Sequence, residues 1–227
     1  MRWRQDRAMS DVQRNSLRPS IGEFSELFQV LQEDIERVYP YAFGYGSFAN
    51  EDPSLVNLDS SERRSLVRAV FAYIEGNAYY MRSMLLEDAP VGALTPSHIL
   101  ALSEEQVEIT NLGKATKKPL RIGALPLLKL TLNSLEKVYS DIPENICAGP
   151  GLEAFTRSTR VRDRLMHPKS LASLTVTDNE IRDVVSAFVW FTTCVFICVD
   201  RNVDKMKEKI RQLSDLAEEM RSGMAQS

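Results

Sequence analysis

Val184–Val199 reads VVSAFVWFTTCVFICV and is bounded by Asp183 and Asp200. This run decides the fold, because it is either the core helix of a bundle or a membrane span. A spanning helix needs about 20 predominantly apolar residues. The run is shorter and contains Ser186, Thr192 and Thr193. It reads as a buried core helix, and no membrane partner is expected. Just before it, Thr177-Asp178-Asn179-Glu180 spells a capping box, in which each end residue's side chain binds the other's backbone N–H. The spacing therefore predicts a long last helix that opens near 178 and runs past 215.

The end of that helix carries its own pattern. Val203, Met206, Ile210, Leu213, Ala217 and Met220 recur at three- and four-residue steps, with charges on the other faces. This is a coiled-coil-like stripe, shorter than the three to four heptads that define a coiled coil. Two partners are open for it: the protein's own first helix, or a second subunit.

The rest of the chain is also helical in pattern. Ile21, Phe24, Phe28, Leu31, Ile35 and Val38 share one face, and Pro40 ends that helix. After a Gly/Asn/Asp/Pro-rich loop over 42–59, Asp59 or Ser60 can cap a second helix. Its inward face would hold Leu66, Val70, Tyr73, Ile74, Asn77, Met81 and Met84. Thr95 and Pro96 open a third helix, as N-cap and first helical residue, which fades near Gly113. A fourth carries Leu125, Leu128, Leu132, Leu135 and Tyr139, and a Pro/Gly loop from Pro143 to Gly151 follows it. A fifth spans about 152–167 and is broken by Pro168. No stretch gives a strand ladder, and Leu171–Val176 is an isolated short candidate. The fold class is therefore all-α, a helical bundle with a long C-terminal helix. The predicted divisions are a disordered leader at 1–20, a helical domain at 21–205 and a helical extension at 206–227.

Composition sets outer bounds. The 227 residues suit one domain, with 44% apolar and 26% charged residues. A net charge of −3 argues against a general polyanion binder and leaves room for a local basic site. Three cysteines give no disulfide framework and suit a reducing, cytoplasmic location. The basic start, Met1 to Arg7, has no apolar segment behind it and does not read as a secretory signal.

The chemistry concentrates in Arg162-Asp163-Arg164-Leu165-Met166-His167-Pro168, among Arg157, Arg160 and Lys169. On a continuous helix, residues five apart are rotated by roughly 140°, so Arg162 and His167 do not share a face. His167 precedes a proline, however, and that position is pushed out of helical geometry. Its imidazole can swing toward Arg162 or toward the same motif in a second subunit. Asp163 is four residues before His167, within reach of the imidazole. Arg162 offers a forked donor array for a phosphate. Together these suit acid–base work on a phosphodiester, with the RNA 2′-hydroxyl as a built-in nucleophile. The plain alternative is a surface Asp–His–Arg network at a helix end.

Other residues carry weaker signals. Glu75, beside Gly76, can hold a basic partner such as Arg162 or face solvent at a bend. His98 reads as a surface or cap residue. Cys194 and Cys198 share an apolar helical face and read as buried thiols rather than metal ligands. Lys114, Lys117 and Lys118 read as a solvated loop or an extension of a phosphate-binding surface. There is no Walker loop, GxGxxG or HExxH. No metal site and no cofactor are predicted.

Arg162-Asp163-Arg164-Leu165-Met166-His167 resembles the signature of the HEPN superfamily: Arg, a polar residue, three further residues, then His, late in an all-helical domain. The resemblance covers about 60–205. It implies a metal-independent endoribonuclease acting as a homodimer, with both motifs facing one cleft. Arg162 would bind phosphate, His167 would perform acid–base catalysis and Asp163 would position. Arg157, Arg160, Arg164 and Lys169 would extend the RNA contact. It also implies a toxin–antitoxin or other defence role, with a possible antitoxin or defence partner protein. Some members are catalytically silent and bind RNA, nucleotide or a protein instead. A branch partnered with nucleotidyltransferase antitoxins has Tyr two residues after the His; Lys169 stands there in this chain, so that partnership is not expected.

Overall fold

A computed structural model describes residues 21–40, 42, 57–139 and 148–225. The predicted leader at 1–20 and most of the loops at 42–59 and 143–151 lie outside the described residues. Among the described residues six α-helices follow in order: α1 Ile21–Val38, α2 Ser60–Asp88, α3 Pro96–Leu102, α4 Ala124–Val138, α5 Pro150–Met166 and α6 Asp178–Ala225. A small antiparallel sheet, β1 Glu105–Ile109 and β2 Ala115–Pro119, stands between α3 and α4. The fold is mostly α, with a long C-terminal helix.

α2 is the central element, touched by α1, α3, α4, α5 and α6. Its start is fixed by the expected cap. The Asp59 carboxylate accepts from the Ser61 and Glu62 N–H groups, and Glu62 accepts from the Asp59 N–H at 2.7 Å. Its whole predicted inward face is buried, together with Val67, Phe71, Ala78 and Leu85. α1 crosses it with Phe24 stacked on Tyr80 and Phe28 against Tyr73. Gly76 sits at this crossing; a Cβ there would lie 2.9 Å from Leu31 Cδ1.

α6 supplies the other half of the core. Val184, Val185, Ala187, Phe188, Phe191, Cys194, Val195 and Cys198 are buried. By length and composition α6 is apolar enough to cross a membrane, and half of its most apolar window is buried inside the molecule. α5 packs along it so tightly that a Cβ on Gly151 would fall 2.2 Å from Trp190 Cγ. Burial pushes the Cys198 thiol up to about 12, with the Asp88 charge adding to the effect. A thiol held protonated in this way is a poor nucleophile and a poor ligand.

Four expectations change. The third helix does not fade near Gly113; it stops at Leu102. Beyond it Gln106-Val107-Glu108-Ile109 alternates polar and β-branched residues, which is the period of a strand. Gly113, at φ 69°, makes the turn that the hairpin needs. Lys117 and Lys118 are accordingly not loop lysines but strand residues paired with Glu105 and Glu108. Leu171–Leu174, within the isolated strand candidate, is a 3-10 turn. The tail stripe does not lie on α1. Asp88 at the end of α2 instead receives Asn202 and Lys209 through its carboxylate and Lys205 through its carbonyl. Past that clamp Ile210, Leu213, Leu216 and Met220 are exposed.

Candidate functional site

α5 carries the motif, and α6 fixes how α5 is turned. Arg157 donates Nε and Nη2 to the two Asp183 oxygens at 3.0 and 2.8 Å. Arg164 forks onto Glu180 at 2.8 and 3.1 Å and also donates to the Ser173 and Thr175 carbonyls. Both arginines, expected on an RNA surface, thus brace α5 and the 168–177 connection against α6. Arg160 and Lys169 are exposed, and their side chains make no hydrogen bond among the described residues.

The Arg164 clamp has a measurable signature. Burial alone would raise the Glu180 pKa, but the Arg164 guanidinium and the Thr177 N–H outweigh it and hold it below its ordinary 4.5. A depressed carboxylate contributes stability above its unfolded value and loses it as pH falls through the folded one. Arg164→Ala should therefore destabilise the fold by about 1–2 kcal/mol at pH 7. The gap between variant and parent should narrow as the pH falls from neutral to below the ordinary 4.5 of a glutamate. Urea midpoints measured at both ends of that range check it.

Arg162 is held differently. Its Nη2 donates to Glu75 Oε1 at 2.6 Å and its Nη1 to Asp163 Oδ1 at 3.1 Å, with 30% of the side chain exposed. Glu75 combines the two roles open to it: it holds Arg162 while its side chain stays 45% exposed rather than buried. The guanidinium borders two grooves. One, of about 700 Å³, runs between α2, α4 and α5 over Phe71, Ile74, Leu125 and Phe155. The other, of about 270 Å³, lies over Val67, Arg68 and Met166.

His167 is the C-cap of α5, at φ −127° and ψ 61°, with its N–H on the Asp163 carbonyl at 3.0 Å. It has left helical geometry, as a residue before proline should. Its imidazole is exposed, lines neither groove and makes no hydrogen bond among the described residues. The expected Asp163–imidazole contact is not formed, because the Asp163 carboxylate is on Arg162. His98, as expected, is a cap residue: Nδ1 is 2.6 Å from Thr95 Oγ1, and Lys137 Nζ is 3.2 Å from Nε2.

One polar pair escaped the sequence reading. Arg82, only 6% exposed, pairs with Glu104 in the lining of the same large groove. Burial lowers the Arg82 pKa, and the Glu104 charge opposes that shift. The signal was available: Arg82 stands four residues after Ala78 on the buried face of α2, where an apolar residue belongs.

No family profile, no curated protein and no solved structure matches this chain.

Chemically, the arrangement offers a braced, half-exposed guanidinium on a groove rim, two carboxylates beside it and an exposed imidazole at the end of the same helix.

Proposed function

We propose that the chain is a HEPN-type, metal-independent endoribonuclease that cleaves RNA through the 2′-hydroxyl. The observation that carries this reading is Arg162, fixed by Glu75 on the rim of an open groove, with the exposed His167 closing the same helix. Arg162 would stabilise the charge that builds on the phosphate oxygens. His167 would take the 2′-hydroxyl proton as O2′ bonds to phosphorus. The P–O5′ bond then breaks, and O5′ leaves with a proton returned by the imidazolium. The products are a 2′,3′-cyclic phosphate and a 5′-hydroxyl. Because His167 lines neither groove that Arg162 borders, the imidazole serving each Arg162 would come from a second copy, in a homodimer. A cytoplasmic toxin or defence effector, with an antitoxin or defence partner, is the setting that the resemblance suggests.

A second reading is a catalytically silent HEPN-like module that binds RNA, nucleotide or a protein. It is favoured by the two carboxylates on Arg162, which offset the charge that a phosphate needs. The two readings part in one experiment. Under the first, RNA is cut in the presence of excess chelator and Arg162→Ala abolishes the cutting. Under the second, no RNA is cut, and binding persists in His167→Ala. Cutting by Arg162→Ala at the parental rate would remove the enzyme reading.

A further inference from the structure

The large groove has two polar ends. At one stands Arg162 on Glu75; at the other stand Arg82 and Glu104, with Tyr79 beside them. Glu75 and Arg82 are seven residues apart on α2, which separates the ends by about 10 Å. That is the scale of one nucleotide from its phosphate to the far edge of its base. Between them the lining is apolar, from Ile74, Leu125 and Phe155.

The Arg82–Glu104 end is built against local preference. Glu104 follows the C-cap of α3 at φ 54°, a left-handed conformation that usually falls to glycine. Arg82 is buried, and its Nε has no hydrogen-bond partner among the described residues. A strained acidic residue and an under-satisfied buried cation, meeting in one groove, are the kind of local cost that collects at binding sites. The arrangement also has a clear product. Arg82 Nη2 fixes one Glu104 oxygen. The other, Oε2, makes no hydrogen bond among the described residues, and the Glu104 side chain is 45% exposed. Tyr79 is 44% exposed, with the Arg82 guanidinium 5.7 Å from its ring centre.

We propose that this end of the groove is a guanine-selective base pocket, receiving the base whose 3′-phosphate lies at Arg162. The inference rests on the RNA reading above. An exposed aromatic ring offers a stacking platform for an unpaired base. A carboxylate only accepts hydrogen bonds, so it selects donors. Guanine presents two adjacent donors, N1–H and the N2 amino group. Uracil presents one N–H flanked by two carbonyl oxygens that repel the carboxylate. Adenine and cytosine each present one amino group next to an acceptor nitrogen. Arg82 acts as a positioning residue that aims the carboxylate.

Calorimetry with guanosine, adenosine, uridine and cytidine 3′-monophosphates tests this on the intact chain. Guanosine 3′-monophosphate should bind about tenfold or more tighter than the other three, the discrimination of one good bidentate contact. Glu104→Gln should erase that preference, and Tyr79→Ala should weaken all four nucleotides. Equal affinity of the parent for the four, no binding of any, or a preference that survives Glu104→Gln would overturn the pocket. RNA cleavage by the same preparation reads the parent proposal separately. Selective binding without cleavage keeps the pocket and removes the nuclease; cleavage with unselective binding does the reverse.

Discussion

His167→Ala should lower the rate of RNA cleavage by at least about a hundredfold, the usual contribution of a positioned proton carrier. The fold should barely notice. The imidazole is exposed and makes no hydrogen bond among the described residues, and the backbone N–H bond from His167 to the Asp163 carbonyl is one that alanine keeps. A surface substitution of this kind changes stability by about 0.5 kcal/mol or less. Initial rates on an RNA oligonucleotide, with a urea melt of the same sample, separate the two quantities. A variant that cuts at the parental rate removes His167 from the mechanism. A variant that unfolds shows that the helix end, rather than the imidazole, is what matters.

Phe155→Ala should have the largest effect on stability, about 3–5 kcal/mol. Phe155 is 1% exposed, and its ring lies 5.8 Å from that of Phe71 and 6.2 Å from that of Trp190. It thus joins α5 to α2 and α6 at once. The Gly151–Trp190 contact leaves α5 little freedom to settle into the vacated space. The same ring lines the large groove two turns before Arg162 on α5. Nucleotide binding should therefore weaken even at temperatures where the variant stays folded. A loss below about 1 kcal/mol would mean that α5 is not packed as described.

The fold was legible wherever local chemistry decides. Asp59, Thr95-Pro96 and the Thr177–Glu180 box mark helix starts because they satisfy backbone N–H groups within a few residues. The apolar run at 184–199 reads as a core helix because it is shorter than a membrane span and carries Ser186, Thr192 and Thr193. The reading failed where two periods compete. Val107 and Ile109 suit a strand, but they follow the short helix α3 without a strong breaker, so periodicity alone extends the helix to Gly113. The tail failed for another reason. A three-four stripe asks for a partner without naming it, and the tail's polar side is taken by Asp88 at the end of α2.

The candidate site was legible as a list of residue types more than as an arrangement. Arg162, Asp163 and His167 are candidates that spacing singles out. Spacing alone did not reveal that Asp163 turns to Arg162, or that Arg157 and Arg164 are claimed by Asp183 and Glu180. Those pairings depend on how α5 is rolled against α6, which is a tertiary property. Glu75 and Arg162 are 87 residues apart, and only the crossing of α2 by α5 brings them to 2.6 Å. Arg82 and Glu104 were missed because their meaning lies in burial and backbone conformation.

Mass analysis of cleavage products tests the central claim most directly. An RNA oligonucleotide is incubated with the protein in excess chelator, beside a copy carrying a single 2′-deoxynucleotide at the mapped cut. The account predicts a 2′,3′-cyclic phosphate and a 5′-hydroxyl from the first and no cut at that position in the second. Ends bearing a 3′-hydroxyl and a 5′-phosphate, or a cut at the 2′-deoxy position, would contradict it.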